Sequence, residues 1–544
     1  MRCCLAPALL VLGLVAGVSR ANTELLPERV AKAAQERIDA GTYQALVFGV
    51  VDGDKSDVFT FGKLDGDKAL DGDTVFEIGS ITKTFTATLL ADAVLSGRFT
   101  LDTPIGDLLP DFKMPELNGK KITLDEIATQ YSGLPRLPSN LAPEDEANPY
   151  SDYYIDKLKA FLADYQLPRD PGESYEYSNL AFGLLGYALA ESAHTTYDTL
   201  LETKILRTLG MKMSGIAFND AMRAHLAPGH DEVGNPVKNW DLGVLAGAGA
   251  IRSTVNDMLR YLKANMGVHP SSLAPPMKFA QQTRKDIVGH MRIGLAWMTT
   301  EKGVIWHNGG TGGYRSFIGF STDGQKGIVI LTNTATDVDD LGFAALLDSA
   351  PLAPTHKISV LPSTTLDEYL GSYKFTEQLV LKISRNGDQL FGQATGQAAF
   401  PIFPSAKDEF FAKIGGITIT FTRDDKGAVT SLVLHQHGDH TAPKLTAAQL
   451  PPEPKETALP PETLSEYVGQ YQFSFGSAFE ITLKGDHLEA QFTGQPAAPI
   501  YASAKDKFFY KIVDAQLDFE RDAAGKVVAV ILHQSGQSPR AQRR

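Results

Sequence analysis

The sequence predicts an α+β chain: a mixed domain in which an antiparallel sheet is flanked by helices, followed by two duplicated small antiparallel β-barrels. Three observations predict this. Residues 22–355 mix short strand-like runs with longer runs of helical period. Residues 356–453 and 454–544 repeat one another. Pro-rich joints, LAPTHKISVLPSTT and LPPEPKETALPPET, precede the two copies. A chain of 544 residues has room for two to four domains, each with its own core.

The elements follow in order. Glu28 to Ala40 reads as a helix. ALVFGVV and VFTFG read as strands joined at Asp52-Gly53. The Asp-Gly pairs at Asp52, Asp65 and Asp71 read as hairpin turns, because their spacing does not form a calcium loop. An extended run (Val75, Phe76, Ile78) then meets Gly79, and a helix follows. Phe85, Leu89 and Ala93 recur at i+4, and Gly97 marks the stop.

The duplication needs no gap. LDEYLGSY at Leu366 returns as LSEYVGQY at Leu464, and SAKDEFF at Ser405 as SAKDKFF at Ser503. Thr395 returns as Thr493 and His435-Gln436 as His533-Gln534, all offset by 98 positions. Runs such as LVLKI and ITITF, separated by Asn-Gly, Lys-Gly and Gly-Asp turns, predict about eight short strands per copy closing into a barrel. His435, His437 and His440 suggest a metal site, but the second copy reads HQSGQS there. No metal site is therefore predicted.

Three motifs carry chemistry. Ser80-Ile81-Thr82-Lys83 puts a hydroxyl at a helix N-terminus and an amine one turn on, on the same face. A serine needs a base to become a nucleophile, and a lysine serves if burial lowers its pKa. The plain alternative is a capped helix with a solvated lysine. Tyr177-Ser178-Asn179 precedes an apolar helical run and can aim a phenol and a carboxamide into a cleft. Alternatively the tyrosine packs and the asparagine caps the helix. In VIWHNGGTGGYRSFIGF a strand ends near His307, and Gly309, Gly310, Gly312 and Gly313 allow close backbone approach to a ligand. A glycine-rich hairpin with a core histidine is the competing reading.

Together and in this order, the motifs resemble the serine β-lactamase and penicillin-binding-protein superfamily, on its class C side. Ser80 and Lys83 match the nucleophile motif, and Tyr177 and Asn179 the Tyr-x-Asn motif. His307-Asn308-Gly309 falls where Lys-Thr-Gly stands in true β-lactamases. TQYSGLP, GAGAIRSTVNDMLRYL and GLAW resemble further family segments, over residues 25–350. The resemblance implies a β-lactamase/transpeptidase-like domain. With two C-terminal barrels the architecture is similar to bacterial D-aminopeptidases, whose barrels flank the active site.

The resemblance also implies roles. Ser80 would form an acyl-enzyme, with Lys83 and Tyr177 moving its proton, in either order. Ser80 and Gly310 N–H groups would make the oxyanion hole. Asn179 would orient the acyl side chain, with His307, Asn308, Gly309 and Gly310 on the substrate's other side. His307 would supply a tunable positive or hydrogen-bonding group in place of a permanent cation. That fits a D-aminopeptidase or a class VIII-type esterase better than a β-lactamase; the overall reading is a peptidase of D-aminopeptidase or D-Ala-D-Ala carboxypeptidase type. A penicillin-binding sensor without turnover is the rival of another class. Gln130 stands where many relatives carry histidine and reads as structural variation. Gly-x-Ser-x-Gly is missing from the chain, which argues against an α/β-hydrolase.

Net charge of −13 and pI near 5.4 argue against nucleic acid as a partner. The expected partners are small peptides, esters or β-lactams and peptidoglycan fragments, with no cofactor. Arg2 and the apolar run Leu5 to Val18 read as a signal peptide over residues 1–21, cleaved after Ala21. Secretion or periplasmic location follows, with no membrane attachment after cleavage. Cys3 and Cys4 lie inside that segment, so the mature chain has no disulfide. Oligomeric state is not legible.

Overall fold

The computed structural model describes residues 25–544, except 67, 377–378, 396, 398, 414–415, 437, 447, 450–454, 474–477, 494–496, 512–514 and 535–537. The signal-peptide reading and His437 lie outside the described residues.

The first domain opens with α1 (Glu28–Asp39), then the hairpin β1 (Ala45–Asp52) and β2 (Lys55–Gly62). Its two-residue loop needs a left-handed glycine, and Gly53 has φ +59°. Asp65-Gly66 and Asp71-Gly72 are turns in the next connection, not hairpins. There Asp71 accepts from the Asp73 amide at 2.9 Å, a local turn bond. Then come β3 (Val75–Glu77), α2 (Thr82–Leu95), α3 (Asn179–Ser192), β4 (Arg252–Thr254) and α4 (Val255–Met266). Strands β5 (Lys285–Ile287), β6 (Met291–Ile293), β7 (Met298–Thr299), β8 (Val304–Gly310), β9 (Arg315–Ser321) and β10 (Lys326–Thr332) precede α5 (Asp339–Leu346).

The main sheet is antiparallel, in the order β2-β1-β10-β9-β8-β7-β6-β5. Both faces are covered, so β1 is buried almost throughout rather than alternating with polar residues. Leu46, Phe48 and Val50 meet the core under α1 and α5. Ala45, Val47 and Val51 join the larger core that holds α2, α3 and α4. A Cβ at Gly49 would lie 2.7 Å from Val255, so glycine lets α4 seat against the sheet.

Helix α2 runs through the middle of that larger core and is buried nearly all round. Its threonines survive there because their hydroxyls are bonded. Thr84 donates to Ile81 O, Thr86 to Gly247 O and Thr88 to Thr84 O. Phe85 stacks on Tyr261 with ring centroids 3.7 Å apart.

The C-terminal copies each form eight antiparallel strands. The second closes when Gly469–Phe473 pairs with Arg540–Arg543. Among the described residues the first is joined end to end by the bridge Tyr373 to Lys444, with the Leu445 amide donating to Ser372 O at 2.8 Å. Duplication extends to the hydrogen bonds. Tyr369 donates to Asp408 at 2.9 Å and Arg423 Nε to Asp408 at 2.8 Å. Tyr467, Asp506 and Arg521 repeat this at 2.9 and 2.7 Å. Asp408 and Asp506 have φ of +69° and +68°, so each aspartate makes a tight turn and anchors the arginine beside it. Lys413 of the first copy donates to Gly41 O of the first domain at 3.2 Å.

Candidate active site

Ser80 lies in a short 3₁₀ turn, Gly79–Ile81, leading directly into α2, rather than in the α-helix itself. Gly79 has φ +49°, and a Cβ there would sit 2.6 Å from the Gly310 amide nitrogen. A Cβ at Gly309 would meet Ile78 O at 2.0 Å. The two glycines therefore let the end of β8 close against the serine turn. Gly310 itself is exposed at the strand end, where its N–H can face an oxyanion.

Lys83 is completely buried on α2. Its Nζ donates to Ala248 O at 2.7 Å, Asn179 Oδ1 at 2.8 Å and Ser80 Oγ at 2.9 Å. Burial holds this amine well below the ordinary lysine range, and the Arg136 charge adds to that. Ala248 O and Asn179 Oδ1 can only accept, and they occupy two N–H bonds. The third direction points at Ser80. In the neutral amine it is a lone pair that can take the serine proton.

The YSN triplet is placed by its middle residue. Ser178 is the N-cap of α3, accepting from the Ala181 amide at 2.9 Å and donating to Pro135 O at 2.6 Å. Asn179 is thus free of capping and turns to Lys83. Gln130, buried and with φ +65°, accepts from the Ser178 amide at 2.7 Å. It is more than structural variation: it holds the triplet in place. Tyr177 is half-buried, with its ring centroid 4.9 Å from Lys83 Nζ. Burial pushes its phenol well above the usual tyrosine range, and hydrogen bonding to Ser80 opposes this. Tyr177 is therefore a phenol, a donor to whatever oxygen faces it.

His307 differs from the sequence expectation of a tunable positive group. It is buried on β8, its ring 6.4 Å from that of Tyr177. Burial, with the Lys83 charge adding to it, lowers its pKa to about 3. Nδ1 lies 2.6 Å from Asn308 O, which can only accept. The proton sits on Nδ1 and the ring is neutral.

Asn308 is a second correction. Side chains alternate along a strand, so its carboxamide lies on the face opposite His307. It donates to Asp339 Oδ2 at 2.7 Å and is not a substrate-binding side chain. Gly309 likewise packs against Ile78 rather than facing the cleft.

Burial pushes the Asp339 carboxyl up to about 7, with Asp337 adding repulsion. A carboxyl raised in the fold adds stability below its unfolded pKa near 4, and that stability is lost as pH rises through about 7. Asp339→Asn keeps an acceptor for Asn308 but carries no charge. Relative to the parent it should gain about 1–2 kcal/mol between pH 5 and pH 8, discounted for partial exposure. Urea unfolding at the two pH values measures this. A difference independent of pH would contradict the assignment.

Among the described residues no cluster of three metal-ligating side chains occurs, and no helix is long and apolar enough to cross a membrane.

The beta-lactamase family model matches residues 30–350. A domain of unknown function, DUF3471, matches twice, at 356–449 and 453–543. A beta-lactamase of Pseudomonas fluorescens is 30% identical over 258 residues, covering 46% of this chain and 68% of that protein. Protein flp of Staphylococcus aureus is 26% identical over 279 residues, covering 48% of this chain and only 53% of that protein. Among solved structures, a class C beta-lactamase from Rhodobacter sphaeroides is 24% identical at TM-score 0.50, covering 58% of this chain and 96% of that one. A beta-lactamase/D-alanine carboxypeptidase from Pseudomonas syringae is 23% identical at TM-score 0.52, covering 59% and 98%. At these identities the structures establish the fold.

Proposed function

The chain belongs to the beta-lactamase family and is a serine hydrolase, and from that premise we propose that it cleaves D-amino-acid-containing peptides through an acyl-enzyme on Ser80. The observation that carries this reading is the buried Lys83, bonded to Ser80, beside a neutral His307. Lys83 takes the Ser80 proton as Oγ attacks the carbonyl. The N–H groups of Ser80 and Gly310 hold the oxyanion. Tyr177, a phenol, passes a proton to the leaving amine, and its proton is restored from Lys83. Water then releases the acyl group by the reverse relay. Asn179 both fixes Lys83 and lines the acyl side.

A β-lactamase role is disfavoured because β8 offers no cation for the β-lactam carboxylate. Hydrolysis of short acyl esters is the second reading, favoured by the same neutral imidazole. Secretion or periplasmic residence, with wall-derived peptides as substrate, completes the proposal.

The test is a panel on the purified chain: nitrocefin, D-alanine p-nitroanilide, a D-Ala-D-Ala peptide and p-nitrophenyl butyrate. The highest kcat/KM should fall on a D-amino-acid substrate. Dominant nitrocefin turnover would overturn the reading. So would a fluorescent penicillin that acylates and is never released, which would indicate a sensor.

A further inference from the structure

The loop after Gly133-Leu134-Pro135 carries Arg136, whose backbone is already part of the site. Its carbonyl accepts from the Asn179 and Leu180 amides at 3.0 and 3.2 Å, the first turn of α3. Its side chain is exposed. The guanidinium carbon lies 5.2 Å from the centre of the Tyr177 ring. Its charge acts on Lys83 as well as on Tyr177, so the guanidinium lies close to the nucleophile's base.

Several arginines of the domain are paired with carboxylates. Arg169 pairs with Glu176, Arg284 lies 3.9 Å from Asp125, and Arg315 lies 3.3 Å from Asp337 and 3.8 Å from Glu232. Among the described residues no carboxylate pairs with Arg136. A permanently charged fork with five donors is left exposed over the Tyr177 ring. On β8, opposite, His307 is neutral.

We propose that Arg136 is the specificity-determining residue of this site and that it binds a carboxylate on the acyl portion of the substrate. The acyl portion is chosen because Arg136 is built onto the start of α3, beside Asn179, and not onto β8. The matching substrate is an acyl donor with an acidic side chain, such as an acidic D-peptide. This inference rests on the Ser80 acyl-enzyme reading. A guanidinium lying over one ring face, here that of Tyr177, can still offer its N–H edge to a bidentate carboxylate.

The experiment compares the p-nitrophenyl monoester of glutarate with p-nitrophenyl pentanoate. Both are scored by kcat/KM and by intact-mass acylation of Ser80. The parent chain should prefer the glutarate ester. Arg136→Gln should lower the glutarate-to-pentanoate ratio by about 10- to 100-fold, the range for a hydrogen bond to a charged group. Arg136→Lys should restore part of the ratio, and added salt should shrink it. Arg136 also depresses the Lys83 pKa, so the ratio is read on the plateau of each pH profile. A ratio unmoved by the substitution overturns the role of Arg136 while leaving the acyl-enzyme intact. Absence of any Ser80 adduct overturns the acyl-enzyme reading and this one with it.

Discussion

Ser80→Ala is expected to lower kcat by on the order of 10⁴–10⁶-fold, with Lys83→Ala close behind, because groups acting as one unit lose nearly everything together. A fluorophosphonate probe should label the parent at Ser80 and leave Ser80→Ala unlabelled. Labelling that persists on another serine would remove Ser80 from the mechanism. The pH dependence separates the two candidate bases. Burial and Arg136 hold Lys83 low, whereas burial drives the Tyr177 phenol up. The ascending limb of kcat/KM should therefore lie well below the usual lysine value of about 10.4 and belong to Lys83. Tyr177→Phe should cost roughly 10²-fold, the range of a lost proton donor, without moving that limb. If Tyr177→Phe abolishes the limb, tyrosinate is the base instead.

Much of this site is legible in the chain because the relevant signals are local. Ser80 and Lys83 are one turn apart, and Tyr177 and Asn179 flank the serine that caps their helix. The duplicated barrels are legible for the same reason, since alternating runs and turns repeat at a fixed offset. What escapes the sequence depends on burial and on long-range contact. Ala248 contributes only a carbonyl, which no side-chain pattern marks. Asn308 stands inside the motif, yet strand alternation sends it to Asp339. His307 reads as a tunable cation until its burial is known. Arg136 is a lone arginine in a loop, and only the fold sets it over Tyr177. Gln130 was visible as a departure from the family pattern, but its bond to Ser178 spans 48 positions.

The largest stability effect is expected at a pair the sequence does not announce. Glu77, three residues before Ser80, and Arg252, four after Ala248, are each 3% exposed in their side chains and 3.3 Å apart. They face each other across the β3–β4 ladder, where Glu77 pairs directly with Arg252. Arg252 also donates to Ile216 O, Trp240 O and Asp241. Glu77 accepts from the Trp240 amide at 3.0 Å. Trp240 in turn packs where a Cβ on Gly312 would stand 2.9 Å from its indole nitrogen. The pair thus ties the serine turn to the glycine-rich loop. Removing one partner leaves the other as an uncompensated buried charge, which costs about 3–5 kcal/mol. Arg252→Ala should therefore lower the unfolding midpoint of the catalytic domain by roughly 5–15 °C. Burial already raises the Glu77 pKa against the pull of Arg252, and loss of the arginine raises it further. A raised carboxyl destabilises the fold only where it must be ionised. The loss should accordingly be larger at pH 8 than at pH 5, where Glu77 takes up a proton. Adding Glu77→Gln to Arg252→Ala should return part of the stability and remove that pH dependence. A loss under about 1 kcal/mol, or one equal at both pH values, would mean that water reaches Glu77 and the pair is not dry.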